Sequence, residues 1–376
     1  MKTFDNLIQE VLVPGLCHRC GACVAFCSAI NYGALELDSE GHPRYADKNK
    51  CVAGGLCYEI CPAIDKLEAE TKSNVAWTAP MGRVSGIIIA RAKDPAIRRS
   101  ATDGGVVTAL LVYLFQKGQI DGAVVTKPVG PFQRKSFLAA SEDDIRSAAG
   151  FFFDTAHGMK SVSDYYSTLS RIAEFNPMLS KGLRRVAFVG TPCQIKAMRK
   201  MQTLNIYPSD SVKICFGLFC SGNFNFGEKE RDKIAQIGEF EWKNVKKINI
   251  KEDLIVHLQS GEAITILLSD LKFIKRPACK YCFDFSAEYA DISFGGLGAE
   301  EGWTTVIARS PAGAKILQDS KFKALEEIRP KDPSNLSNQA LKKVKLWSDK
   351  KKDAALASRK MLGIVSSDPR LEDCPL

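Results

Sequence analysis

Of the 13 cysteines in this 376-residue chain, all but Cys215 and Cys374 stand at spacings that suit metal–sulfur chemistry. The segment CHRCGACVAFC places Cys17, Cys20, Cys23 and Cys27 at intervals of two, two and three residues. That rhythm wraps three thiolates around one face of an iron–sulfur cube, and Gly21 lets the backbone come close enough to donate to cluster sulfurs. A second segment, KCVAGGLCYEICP, repeats the pattern with Cys51, Cys57 and Cys61, but Gly54 occupies the position of the second ligand. A third set is dispersed: Cys193 in VGTPCQIKAMR, Cys220 in GLFCSGNF, and the pair Cys279 and Cys282 in RPACKYCFDF.

The first two segments carry bacterial-type ferredoxin spacing, in which the fourth cysteine of each run serves the other cluster. Cluster I is therefore expected to take Cys17, Cys20, Cys23 and Cys61. Cluster II is left with Cys27, Cys51 and Cys57, since Gly54 has no side chain to ligate. Three outcomes follow for it: a 3Fe-4S centre, a 4Fe-4S centre completed by solvent or an outside residue, or no cluster. With three thiols present, the expectation is an occupied but altered centre. Cys193, Cys220, Cys279 and Cys282 meet the ligand requirement of a further 4Fe-4S cluster. Zinc held by four thiolates is the competing reading, which the ferredoxin spacing disfavours. Cys215, inside a predicted strand, reads as a small buried hydrophobe, and Cys374 as a free tail thiol.

A different chemistry is suggested by SATDGGVVTALL, which sets Ser100, Thr102, Asp103, Gly104 and Gly105 between a strand and a helix. Free N–H groups at a helix start, approached closely where there is no Cβ, suit a pyrophosphate. A plain capped helix start explains the same residues. YADISFGGLGAEEGWTTVIAR adds Gly295, Gly296 and Gly298 between two strand-like segments, for which a tight hairpin is the simpler account. Two such turns in one domain favour a dinucleotide cofactor. The G-x-G-x-x-G pattern is absent, so nicotinamide binding of Rossmann type has no direct support.

The elements that must position these residues divide the chain. Residues 1–70 form a small cysteine-dense domain that folds around clusters, and 71–83 read as a linker. From 84 to 329 β-branched runs alternate with amphipathic stretches: strands at 84–92 and 120–127 around a helix at 104–118, then strands at 184–190 and 211–220 around a second helix. A β-hairpin over 246–268 turns at Ser260-Gly261-Glu262. The fold class is therefore α/β (α+β), a core with a mixed sheet plus a small ferredoxin-type domain and a helical C-terminal tail. Residues 330–376 are polar and basic and read as a docking element. Much of the formal charge of +9 lies in residues 339–361 rather than interleaved with aromatics across the chain, which argues against nucleic acid as a partner. No apolar run reaches the roughly 18 residues of a membrane span, and the N-terminal residues lack the parts of a secretory signal. A cytoplasmic protein, able to dock on the inner face of a membrane, is expected, and its grouped thiols read as ligands rather than disulfides.

Taken together, DGGVVTALLVYL, VGTPCQIKAMR, GLFCSGNF and CKYCFDFSAEYADISFGGLGAEEGWTT resemble the family of the β subunits of coenzyme F420-reducing hydrogenase and F420-linked formate dehydrogenase, in a form with an N-terminal ferredoxin domain. The resemblance covers the ferredoxin part and most of residues 84–320. It implies a flavoprotein core, with FAD beside a 4Fe-4S cluster and the deazaflavin F420 as the substrate that meets the flavin ring. A flavin is needed because a deazaflavin exchanges hydride whereas clusters pass single electrons. By the same resemblance Thr102, Asp103, Gly104, Gly105 and Thr108 surround the FAD phosphates, Gly190, Thr191 and Pro192 lie beside ring or ribose, and Lys160 stands near the flavin. Lys275 and Arg276 are candidates for the acidic tail of F420, against the simpler reading of a surface pair. Expected partners are subunits of a hydrogenase, a formate dehydrogenase, a heterodisulfide-reductase-like complex or a membrane respiratory complex. The alternatives are a ferredoxin-dependent reductase of a pigment-like substrate and a relay subunit without F420 turnover.

Overall fold

The computed structural model describes residues 1–30, 32–130, 133–150, 183–206, 209–225, 227–250, 252–328 and 333–363; Lys160 and Cys374 lie outside them. Near the N-terminus, helices α1 (Ala22–Ala29) and α2 (Leu56–Glu59) each follow a left-handed glycine, and β1 (Leu35–Leu37) pairs with β2 (Pro43–Tyr45) between them. The two cysteine loops share a backbone path. Arg19 and Ala53 both have φ 53, and Gly21 and Gly55 have φ 79 and 74. Only glycine adopts the latter conformation freely, so the second loop keeps the first loop's turn although Gly54 has replaced its ligand.

The large domain is built on a mixed sheet. Its strands are β3 (Gly86–Ala92), β4 (Gly122–Gly130), β5 (Gln133–Ala139), β6 (Val186–Gly190), β7 (Val212–Leu218), β11 (Ile292–Gly295), β12 (Thr304–Ala308) and β13 (Leu325–Glu327). Among the described residues their order across the sheet is β13-β3-β12-β11-β7-β6-β4-β5. The central strands β4, β6, β7 and β11 run parallel. They are buried on both faces, which explains their unbroken apolar sequences. Following β6, helix α5 (Pro192–Thr203) returns the chain to β7, forming the expected β-α-β unit. The other expected unit is looser: α4 (Val106–Gln116) leads from β3 to β4, but β12, β11, β7 and β6 lie between those two strands.

Side chains on the two sheet faces enter separate cores. Ala187, Ile214 and Phe216 pack with α4, whereas Phe188, Val212 and Cys215 pack with α5 and with Ala22 and Ala25 of α1. The ferredoxin part therefore covers the same sheet face as α5. Cys215 is fully buried, as its strand position implied. The segment 246–268 forms a three-stranded meander, β8 (Val245–Ile250), β9 (Leu254–Leu258) and β10 (Ala263–Ile266), with the anticipated turn joining the last two strands.

Two boundaries differ from the sequence reading. Helix α3 (Glu68–Asn74) runs through the proposed start of the linker. It docks on α5 through Lys196–Glu68 at 2.6 Å and Asn74 Nδ2 donating to Thr203 Oγ1 at 3.1 Å. The linker beyond it is packed too: Met81 is buried and Trp77 Nε1 donates to Glu288 Oε2 at 2.8 Å. The basic tail is helix α6 (Pro333–Met361), and it lies on the core rather than free. Ala340, Val344, Ser348 and Ala355 face inward at about helical spacing and are buried. Lys352 pairs with Glu288 at 2.8 Å, and Arg359 stacks on Phe283 and donates to the Tyr281 carbonyl at 3.2 Å. The sequence pattern suggested a docking element because charges can be counted along a chain, whereas the carbonyls that receive them cannot.

Arg309 is 2 % exposed and spends its guanidinium on the Met81 and Arg83 carbonyls, Ser286 and Ser293, tying linker, loop and β11 together. Arg309→Met is expected to lower stability by about 3 kcal/mol, because it strands several buried acceptors. Arg44→Met, which removes an exposed pair with Glu36, should cost under about 1 kcal/mol. Urea denaturation of anaerobic protein checks the ranking. Glu68 gives a pH signature. Against burial, which would raise it, Lys196 and Lys72 hold its carboxyl down to about 2 from 4.5. Its contribution is thus full above pH 4.5 and is lost as pH falls toward 2. The stability difference between wild type and Glu68→Gln should narrow over that interval in a pH series of denaturation midpoints; a constant difference would show that the ion pair is not responsible.

Candidate functional site

Electrostatic neighbourhood sorts the thiols into three sets. Burial pushes Cys17 up to about 11, with Cys61 as its thiol neighbour, and Cys20 is raised by burial and then by Cys61 and Cys17. Burial also raises Cys23, which feels Cys20, Cys17 and Cys61. In the second loop Cys57 is pushed up to about 12 by burial, with Cys51 and Cys27 as its neighbours. In the large domain Cys193 neighbours Cys282 and Cys220, while Cys220 neighbours Cys279 and Cys282. The crossed arrangement read from the spacing, with Cys61 beside the first loop and Cys27 beside the second, is therefore present in the fold.

The sets are also linked to one another. Cys193 neighbours Cys20, and Cys23 neighbours Cys57. Backbone N–H groups point at the sulfurs: those of Arg19 at Cys17, Ala22 at Cys20, Ala63 at Cys61 and Gly222 at Cys220. Asn223 N–H donates to Cys279 Sγ at 3.2 Å. Such donors favour thiolate and are the usual companions of iron–sulfur ligands. Among the described residues, no three Cys, His, Asp or Glu side chains close on a point as a single ion requires. Grouped thiols with backbone N–H donors are the donor chemistry of an iron–sulfur cluster. The donor set thus fits such clusters, including the incomplete second one. There Cys27, Cys51, Cys57 and Gly54 line one cavity.

A cleft of about 1640 Å³, counting the space it opens to, lies at the carboxyl ends of β4, β6, β7 and β11. That is where open α/β sheets take ligands. Thr102, Asp103, Gly105 and Thr108 line it from the start of α4, Gly190 from the end of β6, Thr191 from the start of α5, and Gly295 and Gly296 from the end of β11. Gly105 has φ 74, and a Cβ there would lie 2.9 Å from Ile97, so this turn requires glycine. It leaves the first N–H groups of α4 without helical partners. Cys220 lines the same cleft, so one thiol belongs both to it and to the large-domain set.

Several expected contacts are displaced. Gly104 sits behind the cleft: its N–H donates to Thr304 Oγ1 at 3.0 Å, and a Cβ would lie 2.8 Å from the Ala90 carbonyl. Its glycine serves packing on β3. Pro192 is buried as the first residue of α5 and does not line the cleft. Arg276, 1 % exposed, lies within electrostatic reach of Cys17 and His18, on the ferredoxin side. Lys275 packs its stem against Gly222 beside Cys220 and Cys279, where burial lowers its pKa. Arg276 does not face outward to receive a ligand tail, whereas Lys275 is half-buried against Gly222 of the cleft lining. The sequence showed a basic pair but not that the turn carries Arg276 inward.

Other lining residues were missed. Asn249, on the meander, donates to Asp103 Oδ1 at 3.0 Å, and Lys247 Nζ reaches the Thr102 carbonyl at 3.5 Å. Phe219, next to Cys220, packs its ring where a Cβ on Gly295 would lie. The alternation around Asn249 marked a strand, and only tertiary packing brings that strand to the cleft.

Known proteins share this architecture. The family described as coenzyme F420 hydrogenase/dehydrogenase, beta subunit, matches with its N-terminal part at residues 87–163 and its C-terminal part at 183–334. A 4Fe-4S dicluster domain matches residues 10–71. Coenzyme F420 hydrogenase subunit beta of Methanosarcina barkeri is 31 % identical, over 66 % of this chain and 85 % of that one. An F(420)H(2) dehydrogenase subunit of Methanosarcina mazei is 28 % identical, over 86 % and 88 % respectively. A chain of the F420-reducing [NiFe] hydrogenase complex from Methanosarcina barkeri superposes with a TM-score of 0.61 at 28 % identity, covering 77 % of this chain and 96 % of that one. Among the described residues no helix is long and apolar enough to cross a membrane. With the mixed sheet, the thiol sets and the cleft in place, the matches show that this chain belongs to the family of coenzyme F420 hydrogenase/dehydrogenase beta subunits and carries a 4Fe-4S dicluster domain ahead of the part they share.

Proposed function

We propose that this chain exchanges electrons between coenzyme F420 and a partner subunit, using FAD in the cleft and the three thiol sets as iron–sulfur sites. The observation that carries the reading is the double membership of Cys220, which lines the cleft and neighbours Cys279 and Cys282. A flavin bound there supplies one conversion that the polypeptide lacks, taking two electrons together and giving them up singly.

The chain's own residues hold and orient. The N–H groups at the start of α4, cradled by Gly105, meet phosphate oxygens. The carboxyl oxygens of Asp103 suit ligand hydroxyls better than phosphate, and Asn249 fixes their orientation. Thr191 closes a capping box with Gln194, its N–H donating to Oε1 at 3.0 Å, and so fixes the α5 start beside the cleft. The thiol neighbourhoods then order the sites: the large-domain set touches the cleft through Cys220, meets cluster I through Cys193 and Cys20, and cluster I meets the incomplete site through Cys23 and Cys57. Val52 beside that last site is 58 % exposed, which supports a partner contact at the ferredoxin end. The relatives that act as hydrogenase or dehydrogenase subunits suggest a multisubunit setting.

Anaerobic protein loaded with iron, sulfide and FAD should reduce a viologen dye at the expense of reduced F420. Cys220→Ser should retain flavin but lose on the order of tenfold or more of the rate. No dye reduction despite bound flavin would instead indicate a relay or a reductase of another substrate. A second measurement addresses Gly54. A Cβ there would have only Val52 Cγ2 within 4 Å, at 3.8 Å, and Gly54 is not among the left-handed residues. Gly54→Cys is thus expected to fold and to convert the site to a four-iron centre, with higher iron content and a new reducible electron paramagnetic resonance signal. Unchanged iron and spectra would sink the assignment of that cavity as a cluster site.

A further inference from the structure

We infer that Lys351 tunes the midpoint potential of the large-domain centre by fixing a positive charge against its sulfur ligands. This rests on the reading of Cys193, Cys220, Cys279 and Cys282 as a cluster site. Lys351 belongs to α6, beyond the family match that ends at residue 334. Its Nζ donates to the Cys220 carbonyl at 2.6 Å and to the Asp284 carbonyl at 2.8 Å. One carbonyl belongs to a ligand candidate and the other lies two residues past Cys282. The ammonium is therefore tethered between the two loops that carry three of the four thiols.

The surroundings hold it in place, since both of its acceptors are main-chain carbonyls. The helix does not depend on this contact for anchorage. Lys352–Glu288 holds it one residue on, Arg359 holds its end, and the Trp347 ring lies 6.1 Å from Phe285 of the cleft wall.

Reduction of the centre adds one electron and neither makes nor breaks a bond. A fixed cation stabilises the more negative state more than the less negative one, and does so strongly where water is excluded. Net charge and hydrogen bonding near the sulfurs are the levers by which a protein sets such potentials. Because two carbonyls hold the ammonium before the electron arrives, little reorganisation opposes it.

The test is an anaerobic redox titration with dithionite, followed by electron paramagnetic resonance, of iron-loaded wild type, Lys351→Gln and Lys351→Arg. The large-domain signal is assigned by its loss in Cys282→Ser, and the ferredoxin signals serve as internal reference. Lys351→Gln keeps a donor for the carbonyls but no charge, and is expected to shift only the large-domain midpoint to lower potential. Lys351→Arg should stay near wild type. Equal midpoints in all three proteins would overturn the inference while leaving the cluster reading intact. Loss of the centre in both variants would overturn it also, since the residue would then be structural. Absence of a Cys282-dependent signal in wild type would overturn the cluster reading and the inference together.

Discussion

Sulfur withdrawn from water is the constraint on which this structure depends. Burial raises every large-domain thiol for which a shift is resolved and those of Cys17, Cys20, Cys23 and Cys61, so ionised forms are disfavoured unless charge or hydrogen bonding is brought to them. The compensation comes from many parts of the chain. Loop N–H groups supply part of it, and Lys351 brings a cation from a helix far along the sequence. An element that would otherwise be a solvated tail is thereby part of the core. Buried ammonium also serves the ferredoxin part, where Lys200 of α5 donates to the Cys61 carbonyl at 2.9 Å and to that of Ile64. It does so at a cost, since burial and the neighbouring Lys196 push it down to about 7.

Helix α5 is the structural consequence of that constraint. Its start carries Thr191 in the cleft wall and Cys193 in the large-domain set, and two turns on Lys200 grips the loop of Cys61. A helix interior is rigid on the scale of these distances, so it fixes the separation between the cleft, one thiol set and the next. Close packing around it leaves little latitude: a Cβ on Gly217 of β7 would lie 2.3 Å from that of Ala287. The loop between the C-x2-C pair and β11 can approach the parallel strands only because that position is glycine. Glu68 and Lys196 then clamp α3 to α5, so the ferredoxin part is seated by polar contacts as well as by the apolar face of α1.

The sequence disclosed what is local. Cysteine spacing, glycine turns and buried strand runs are each set by a few neighbouring residues, and the cysteine loops, the β6-α5-β7 unit and the shared cleft follow from them. What was not legible depends on long-range partners. Arg276 and Lys351 look like surface cations in a one-dimensional reading, because nothing adjacent in sequence shows the carbonyls and sulfurs they meet. Gly104 and Gly105 are neighbours with equal claims on a ligand, yet one supports β3 and the other opens the helix start. Asn249 reaches the cleft from a separate sheet, and no periodicity could assign it there.

The loop around Gly54 shows how far backbone and ligand can be uncoupled. The left-handed residues at Ala53 and Gly55 repeat those at Arg19 and Gly21, although the thiol between them is gone. Had the metal alone imposed this path, loss of a ligand would have released the strain of a left-handed alanine. Neighbouring packing holds it instead: a Cβ on Gly55 would lie 2.6 Å from the Lys2 carbonyl, so the N-terminal segment presses on the turn. The scaffold thus prescribes the loop, and the identity of one residue decides which centre it can hold. Of the three thiol sets, the one with a missing ligand lies farthest along the chain of neighbours from the cleft. The missing ligand thus falls at the last thiol set of the series, away from those beside the cleft.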